Sequence, residues 1–544
     1  MATIWPFNRR SRQRSFWNAF SGWVPAGLIA LPAVFYLTAR GAGWAGRELV
    51  RRQFNKLLRT LLSEPYPHNL GYMLTAIKRV GPETIVETTL RAQTGKPLER
   101  PFGSARRFSD FDRLLFRGRQ LGWGEAGRYG GAGAPRHRPL DAAVPVDLSV
   151  TIGPAAVRPL RLQIPLIISG MAYGIGLSRQ VKIALARGAS MAGTATNTGA
   201  GPLLPEERRA ARQLIVQVSR GFWNDDPATL RQADMVEIAL GQGAWGGGTG
   251  FTDPANRIGP EVAYLMRQAP GTPATIYARR PETESVERFR SWVNWLRRVT
   301  GGVPVGVKLA ACQDLESDLD FVLQAGVDVI ALDGAEAGTA TSPPLLQDDF
   351  GLPTLPALVR AVRHLERHGI RDRVSLIIGG GLFTPGHFLK ALALGADACY
   401  LGTIPVFAVT HLQVMHSLPW EPPTGVSYYT GEQKSKFDIE EGARSLYLYL
   451  KSATEEMAQG LRSLGKDSLR QLSRADLFAL DRGLAEAIGI EWAWQPASAN
   501  GKHGSAATAR AERAAPAVRA ARTERAMPAF VHGAHGSSNT SGST

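Results

Sequence analysis

Short apolar runs punctuate the middle of the chain, each followed by a Gly-rich or polar turn and then by apolar residues at helical spacing. The runs fall at Pro165 to Ser169, Met191 to Thr196, Ile215 to Ser219, Met235 to Leu240, Val303 to Leu309, Val327 to Leu332, Val374 to Ile378 and Ala396 to Leu401. Their length and β-branched content predict strands; the intervening stretches, clearest at Ser178 to Arg187, Ser285 to Arg298 and Leu355 to His368, predict helices. Strands that alternate with helices pair in parallel. Eight such units over roughly 250 residues fit a closed (β/α)8 TIM barrel of the α/β class better than an open sheet. Two more helical patterns, Glu440 to Leu464 and Leu469 to Ile488, extend the domain.

The flanks read differently. Residues 41–150 begin as helix, with Leu57, Leu58, Leu61 and Leu62 and then Tyr72, Leu74 and Ile77 on apolar faces. They become irregular after Gly95, and Gly118 to Arg138 reads as a Gly- and Arg-rich wrapping loop. From Ser15 to Ala39 no residue is charged, enough chain to cross a hydrocarbon core of about 30 Å as a helix. Arg9, Arg10, Arg12 and Arg14 precede it and Arg40 and Arg47 follow it, so the positive-inside rule sets no orientation. A membrane anchor, an interfacial or buried amphipathic helix and a cleaved signal peptide all fit residues 1–40. Residues 497–544 are an Ala, Gly, Ser and Arg mixture, expected to be disordered. The barrel and its C-terminal helices then occupy residues 151–490.

Charge changes this picture in one respect. The net charge of +16 comes from 63 Lys and Arg against 47 Asp and Glu, and most of the excess sits in residues 1–60 and 497–544. The folded body is nearly neutral, so a nucleic-acid partner is not expected. Two cysteines cannot build a disulfide scaffold or hold an iron-sulfur cluster, so the reducing cytoplasm is the expected compartment. Residues 15–39 would tether the protein to the inner face of the membrane if they act as an anchor.

In such a barrel the chemistry sits on the loops after the strands, with a phosphate site commonly after the seventh and eighth. Here the seventh ends in Gly379, Gly380 and Gly381 and the eighth in Gly402 and Thr403. Side by side, these stretches let amide N–H groups approach a phosphate, though each alone also fits a tight turn. The fifth strand carries Lys308 between Val307 and Leu309, aimed into the barrel mouth, where its charge needs a partner. An anionic reduced flavin is one such partner; an ion pair with Asp333 or Glu336 is another. Ser169, Gly170, Met171 and Ala172, then Thr196 and Asn197, then Gln217 and Ser219 stand at the first three strand ends and could meet a flavin's polar edge.

The order of these segments resembles the flavin-binding synthase domain of glutamate synthase, from about Ile164 to about Asp481. The resemblance rests on Ser169-Gly-Met-Ala-Tyr-Gly, Thr196-Asn-Thr-Gly, Glu237-Ile-Ala-Leu-Gly-Gln-Gly-Ala, Val307-Lys-Leu, Asp333-Gly-Ala-Glu-Ala-Gly-Thr with Ser342-Pro343, Gly379-Gly-Gly-Leu and Leu394-Gly-Ala-Asp. It implies an FMN-binding barrel with Lys308 at the flavin N1 edge, Asp333 and Gly338 among the cofactor contacts, and the late glycines on the phosphate. It also implies an oxidoreductase acting on CH-NH2 donors, which passes a hydride from reduced flavin to an imine or keto carbon. Glutamate from 2-oxoglutarate and ammonia is the family-level expectation.

Three departures qualify the resemblance. The chain begins Met-Ala-Thr, without the N-terminal cysteine with which the family's complete enzymes hydrolyse glutamine, so ammonia is expected from elsewhere. Cys312 and Cys399 do not match the family's iron-sulfur spacing, so no cluster is expected. Where the family commonly places a substrate-binding Lys, this chain has Trp245. Gln242, which is also a catalytic candidate beside Lys308, and Arg279 or Arg280 are the candidates to replace part of that carboxylate site. The electron donor is not identifiable from sequence. The gap after the sixth strand has no nucleophilic Cys, and His387 lacks an accompanying Arg clamp, which disfavours two other flavin-barrel chemistries. A membrane-tethered flavoprotein that transfers electrons or scaffolds a partner is the alternative from a different class.

Overall fold

The computed structural model describes residues 44–62, 70–96, 110–118, 139–245, 248–338, 346, 349–416 and 424–495. The anchor candidate at 15–39, nearly all of the loop at 118–138, Ser342-Pro343 and the tail at 497–544 lie outside them. Among the described residues no helix is long and apolar enough to cross a membrane. The described residues up to Trp492 form one compact unit.

Eight parallel strands form the barrel: β1 (Leu166–Ile168), β2 (Thr196–Asn197), β3 (Leu214–Val218), β4 (Met235–Ala239), β5 (Val305–Ala310), β6 (Val329–Asp333), β7 (Ser375–Gly379) and β8 (Ala398–Leu401). Each pairs with its sequence neighbour from β2 to β8, and β8 returns to β1. The amide of Ile168 donates to the Ala195 carbonyl at 3.0 Å, which brings β1 and β2 together and closes the ring.

Alternation along each strand divides the core in two. Val216, Val218, Val236, Ile238, Val305, Val307, Ile330, Leu332, Leu376 and Ile378 face outward into the helix layer. Ile167, Ile215, Met235, Val329, Ala331, Ile377 and Ala398 face inward and form a layer with Ile152, Leu160 and Leu162. Those last three belong to a hairpin of Val150–Ile152 and Leu160–Leu162 that plugs the end of the barrel away from the site.

The surrounding helices start where side chains can satisfy their first amides. Ser178 accepts from Val181 at the start of α4 (Arg179–Met191), Ser285 from Arg288 before α5 (Val286–Thr300), and Thr384 from His387 before α8 (Pro385–Ala393). Between them lie α6 (Leu315–Gln324) and α7 (Thr354–Arg367). After α9 (Thr403–Thr410), α10 (Ile439–Ser463) packs on α4. Gly188 permits that approach, because a Cβ there would stand 2.8 Å from the Ala443 carbonyl oxygen.

One expected helix does not form. Leu469 to Ile488 instead divides into 3-10 turns at Leu469–Gln471 and Arg474–Asp476, a strand at Leu477–Ala479 and a short helix at Arg482–Ile488. Ser468, Asp476 and Asp481 side chains each bind nearby amides, which restarts the chain every few residues. The strand pairs with Leu114–Phe116 and Glu491–Trp492.

Among the described residues of the N-terminal extension are three helices, α1 (Trp44–Leu62), α2 (Leu70–Val80) and α3 (Pro82–Thr94). Buried Arg91 fixes α3 to the barrel unit through Glu456 at 3.0 Å, with Glu87 one turn back at 3.2 Å.

Candidate active site at the barrel mouth

Strand register decides which polar residues meet. Because Val305, Val307 and Leu309 point to the helices, Lys308 must point inward, and the same parity turns Gln217, Glu237, Asp333, Gly379 and Tyr400 inward. Strands β3 to β8 thus all contribute a residue to one layer above the apolar interior.

Glu237 is completely buried and fully engaged. Its Oε1 accepts from Asn197 Nδ2 at 2.8 Å and Gln217 Nε2 at 2.7 Å, and its Oε2 accepts from the Tyr400 hydroxyl at 2.5 Å. Burial, followed by the Glu237 charge, pushes the Tyr400 phenol far above its ordinary range, so it remains a donor. Lys308 Nζ lies 3.1 Å from Asp333 Oδ2 and 5.4 Å from the Tyr400 ring centroid. Burial opposes the ammonium, but Asp333 and Glu237 outweigh it, so Lys308 titrates above its ordinary value and stays charged. Gly379 makes room for that pair: a Cβ there would stand 2.8 Å from Asp333 Oδ1. Of the two partners foreseen for Lys308 within the protein, the structure selects Asp333. Glu336 instead accepts from the Thr354 amide and hydroxyl, both at 2.7 Å.

Beside this layer the backbone is open. Gly380 and Gly381 have φ of 116° and 65°, and a Cβ on Gly380 would stand 2.5 Å from Thr354 Oγ1. Their amides have no hydrogen-bond acceptor among the described residues. Gly402 precedes α9 without a capping side chain, leaving that helix's first-turn amides without intrahelical acceptors. Two sets of free donors at adjacent strand ends suit a phosphate. With Lys308 and the polar groups at the ends of β1 and β3, the residues present fit FMN.

These features share a cavity of about 340 Å³, within the range of roughly 300 to 1,000 Å³ usual for cofactor and small-ligand sites. Ser169, Gly170, Met171, Ala172, Gln217 and Ser219 line it, as do Gln242, Trp245, Gly338, Gly379 to Gly381, Gly402 and Thr403. Thr196 and Asn197 do not; Asn197 acts from behind the wall through Glu237 and the Gly199 amide. Arg279 and Arg280 are not brought to the cavity either. Arg279 is exposed, and Arg280 is enclosed by Asp225 at 2.5 Å, Glu282 at 3.1 Å and the rings of Phe222 and Trp292. His387 is likewise engaged elsewhere, 2.9 Å from Asp112. Cys399 lies buried on the outward side of β8, where burial pushes its thiol well up.

Four contributors are not evident from the sequence. Arg220, just past β3, is buried at the cavity wall and donates to the carbonyls of Gly248, Ala278 at 2.8 Å and Thr249 at 3.2 Å. No carboxylate pairs with it among the described residues, and burial alone lowers its pKa. Lys182 sits inside α4, with Nζ 2.8 Å from buried Glu207, and donates to the carbonyls of Met171 at 2.7 Å, Asn197 at 2.9 Å and Thr198 at 3.2 Å. It therefore ties the loops after β1 and β2 together. A lysine within the apolar run Val181-Lys-Ile-Ala-Leu was its available signal. Tyr72 and Arg79 of α2 also reach the cavity, and the Tyr72 hydroxyl lies 3.0 Å from that of Tyr428.

Residues 139–467 match the conserved region in glutamate synthase. The chain belongs to the glutamate synthase family. A glutamate synthase large subunit-like protein of Rhizobium meliloti is 32% identical over 416 residues, covering 73% of this chain and 90% of the relative. An archaeal glutamate synthase [NADPH] of Archaeoglobus fulgidus is 31% identical over 318 residues, 58% of this chain and 61% of that protein. Among solved structures, the flavin-binding domain of baker's yeast flavocytochrome b2 aligns with a TM-score of 0.43 and 14% identity over 80% of this chain and 87% of that one. So loose a correspondence adds nothing to the barrel established by strand pairing. The glutamate synthase family segment contains all eight barrel strands and every strand-end residue described above.

Proposed function

We propose that the protein is an FMN-dependent oxidoreductase. When bound, reduced FMN would supply a hydride to an imine or keto carbon, as in the formation of an amino acid from a 2-oxo acid and ammonia. The observation that carries this reading is the placement of buried, charged Lys308 in the same cavity as the free amides after β7 and before α9. Gly379 to Gly381, Gly402 and Thr403 would hold the phosphate; Lys308, Gln217, Ser219 and the Ser169–Ala172 segment would hold the ring.

The remaining wall bears on the substrate. Arg220 offers a buried cation without a carboxylate partner among the described residues, suited to an anionic group. Trp245 stacks on Phe251 with centroids 4.9 Å apart and an interplanar angle of 8°, so that wall is apolar where the family commonly has a cation. Gln242 Nε2 reaches the Gly338 carbonyl at 3.4 Å, which holds its amide over the mouth. The Tyr72–Tyr428 contact forms part of the cavity wall on the side of α2. A 2-oxo acid with an apolar side chain matches this lining better than a dicarboxylate does.

The test is anaerobic. The FMN-loaded protein is reduced with dithionite, freed of excess reductant and mixed with 2-oxo acids with and without ammonium, while flavin absorbance is followed. Reoxidation that requires a 2-oxo acid and forms the amino acid supports the reading. Reoxidation by quinones alone would replace it with an electron-transfer role.

A further inference from the structure

We propose that Asp320, His364 and His368 form a binding site for a divalent transition-metal ion such as Zn2+ on the outer face of the barrel. Asp320 lies on α6, His364 in the last turn of α7, and His368 is the residue that ends that helix. The four-residue separation puts both imidazoles on one side, with ring centroids 4.5 Å apart. Both turn Nε2 toward the same carboxylate oxygen: Asp320 Oδ1 is 2.7 Å from His364 and 3.6 Å from His368. One ligand atom from each of the three residues lies within 4.8 Å of the others.

Two imidazoles and a carboxylate are a donor set suited to Zn2+ and its neighbours. Metal–ligand distances of about 2.0 to 2.2 Å in a tetrahedron separate ligand atoms by roughly 3.3 Å. The two separations from Asp320 bracket that value, and a metal seated among the three groups would replace the His364–Asp320 contact. His364 is 5% exposed, whereas His368 and Asp320 are 50% and 43% exposed, so the cluster is anchored on the protein side and open to a water ligand on the other. The arginine one turn before His364 does not compete for the carboxylate, because Arg360 is held by Glu316 at 2.8 Å.

The site is independent of the flavin reading. Because α6 and α7 follow β5 and β6, a metal there would clamp together the helices behind the strands that carry Lys308 and Asp333. Binding to the native state alone would raise thermal stability.

The experiment titrates Zn2+ into the full-length, flavin-loaded protein by calorimetry and follows the melting temperature with and without Zn2+. Wild type is compared with His368→Ala and Asp320→Asn, since His503, His532 and His535 in the tail could bind Zn2+ weakly in all three. The expected result is a site of one Zn2+ per chain, weakened at least about tenfold in both variants, which also lose the Zn2+-dependent rise in melting temperature while keeping their flavin. Wild type that binds no Zn2+, or variants whose isotherms and melting shifts match wild type, would overturn the proposal.

Discussion

Lys308 Nζ and Asp333 Oδ2 stand 3.1 Å apart at the ends of neighbouring strands, both nearly inaccessible to water. The pair keeps an ammonium charged in the cavity before any ligand arrives. Lys308→Met is expected to lower the potential of the bound flavin, because a charge-assisted contact contributes about 1.5 to 3 kcal/mol. For a two-electron couple that is roughly 30 to 65 mV. Potentiometric titration of wild type and variant checks it; an unchanged potential would confine Lys308 to balancing Asp333 and Glu237. Loss of fold is guarded against by Lys308→Met combined with Asp333→Asn, which leaves no orphaned partner at that pair.

Gly380 tests the phosphate cradle. Its φ of 116° and the 2.5 Å approach of a Cβ to Thr354 Oγ1 make Gly380→Ala strained in place. A strain of about 1 to 3 kcal/mol should shift the loop and lower FMN affinity at least about tenfold. Fluorescence titration of the flavin-free protein with FMN and with riboflavin measures it; the loss should be much larger for FMN.

The Lys182–Glu207 pair should govern loop positioning. Both side chains are essentially inaccessible, and burial lowers the Lys182 pKa and raises that of Glu207 despite their attraction. Lys182→Met leaves a buried carboxyl and three carbonyls without their donor, so a loss of about 3 to 5 kcal/mol is expected. Adding Glu207→Leu should restore part of it. Denaturant unfolding of the single and double variants checks this.

Much of this fold is legible in the sequence, and the misses have physical causes. Seven of the eight strands stand out because their outward positions are apolar and mostly branched, as a helix-covered barrel requires; the second, expected over Met191 to Thr196, forms only at polar Thr196–Asn197, because Met191 still belongs to α4. The inward Lys308, Asp333 and late glycines stand out because a charge or a missing side chain inside an apolar run is costly unless the fold makes use of it. The enclosure of Arg280 is not legible in the sequence, because its neighbours Asp225 and Phe222 come from another loop and only folding brings them to it. Arg79 and Tyr72 were invisible as site residues for the same reason: their helix precedes the barrel by a long stretch of chain. Leu469 to Ile488 reads as helix because Leu469, Leu472, Leu477 and Leu480 mimic helical spacing, while Ser and Asp side chains capture the backbone between them.

A pH effect is expected on the outer face. Hydrogen bonding to Arg360, with smaller charge effects, holds the Glu316 carboxyl down to about 2. A depressed carboxyl pKa contributes stability that is present above the usual carboxylate range and lost as pH falls toward the folded value. The melting-temperature difference between wild type and Glu316→Gln should therefore be constant near neutrality and shrink between pH 4.5 and about 2. A difference independent of pH would contradict the assignment.

The central claim is that the strand-end glycines and Lys308 form an FMN site. Its most direct measurement is the identity and amount of flavin released on denaturing the purified protein, gently prepared and supplemented with FMN and FAD together. The account predicts about one FMN per chain and little FAD, since the free amides after β7 and before α9 suit a terminal phosphate. Stoichiometric FAD, or no retained flavin, would contradict it.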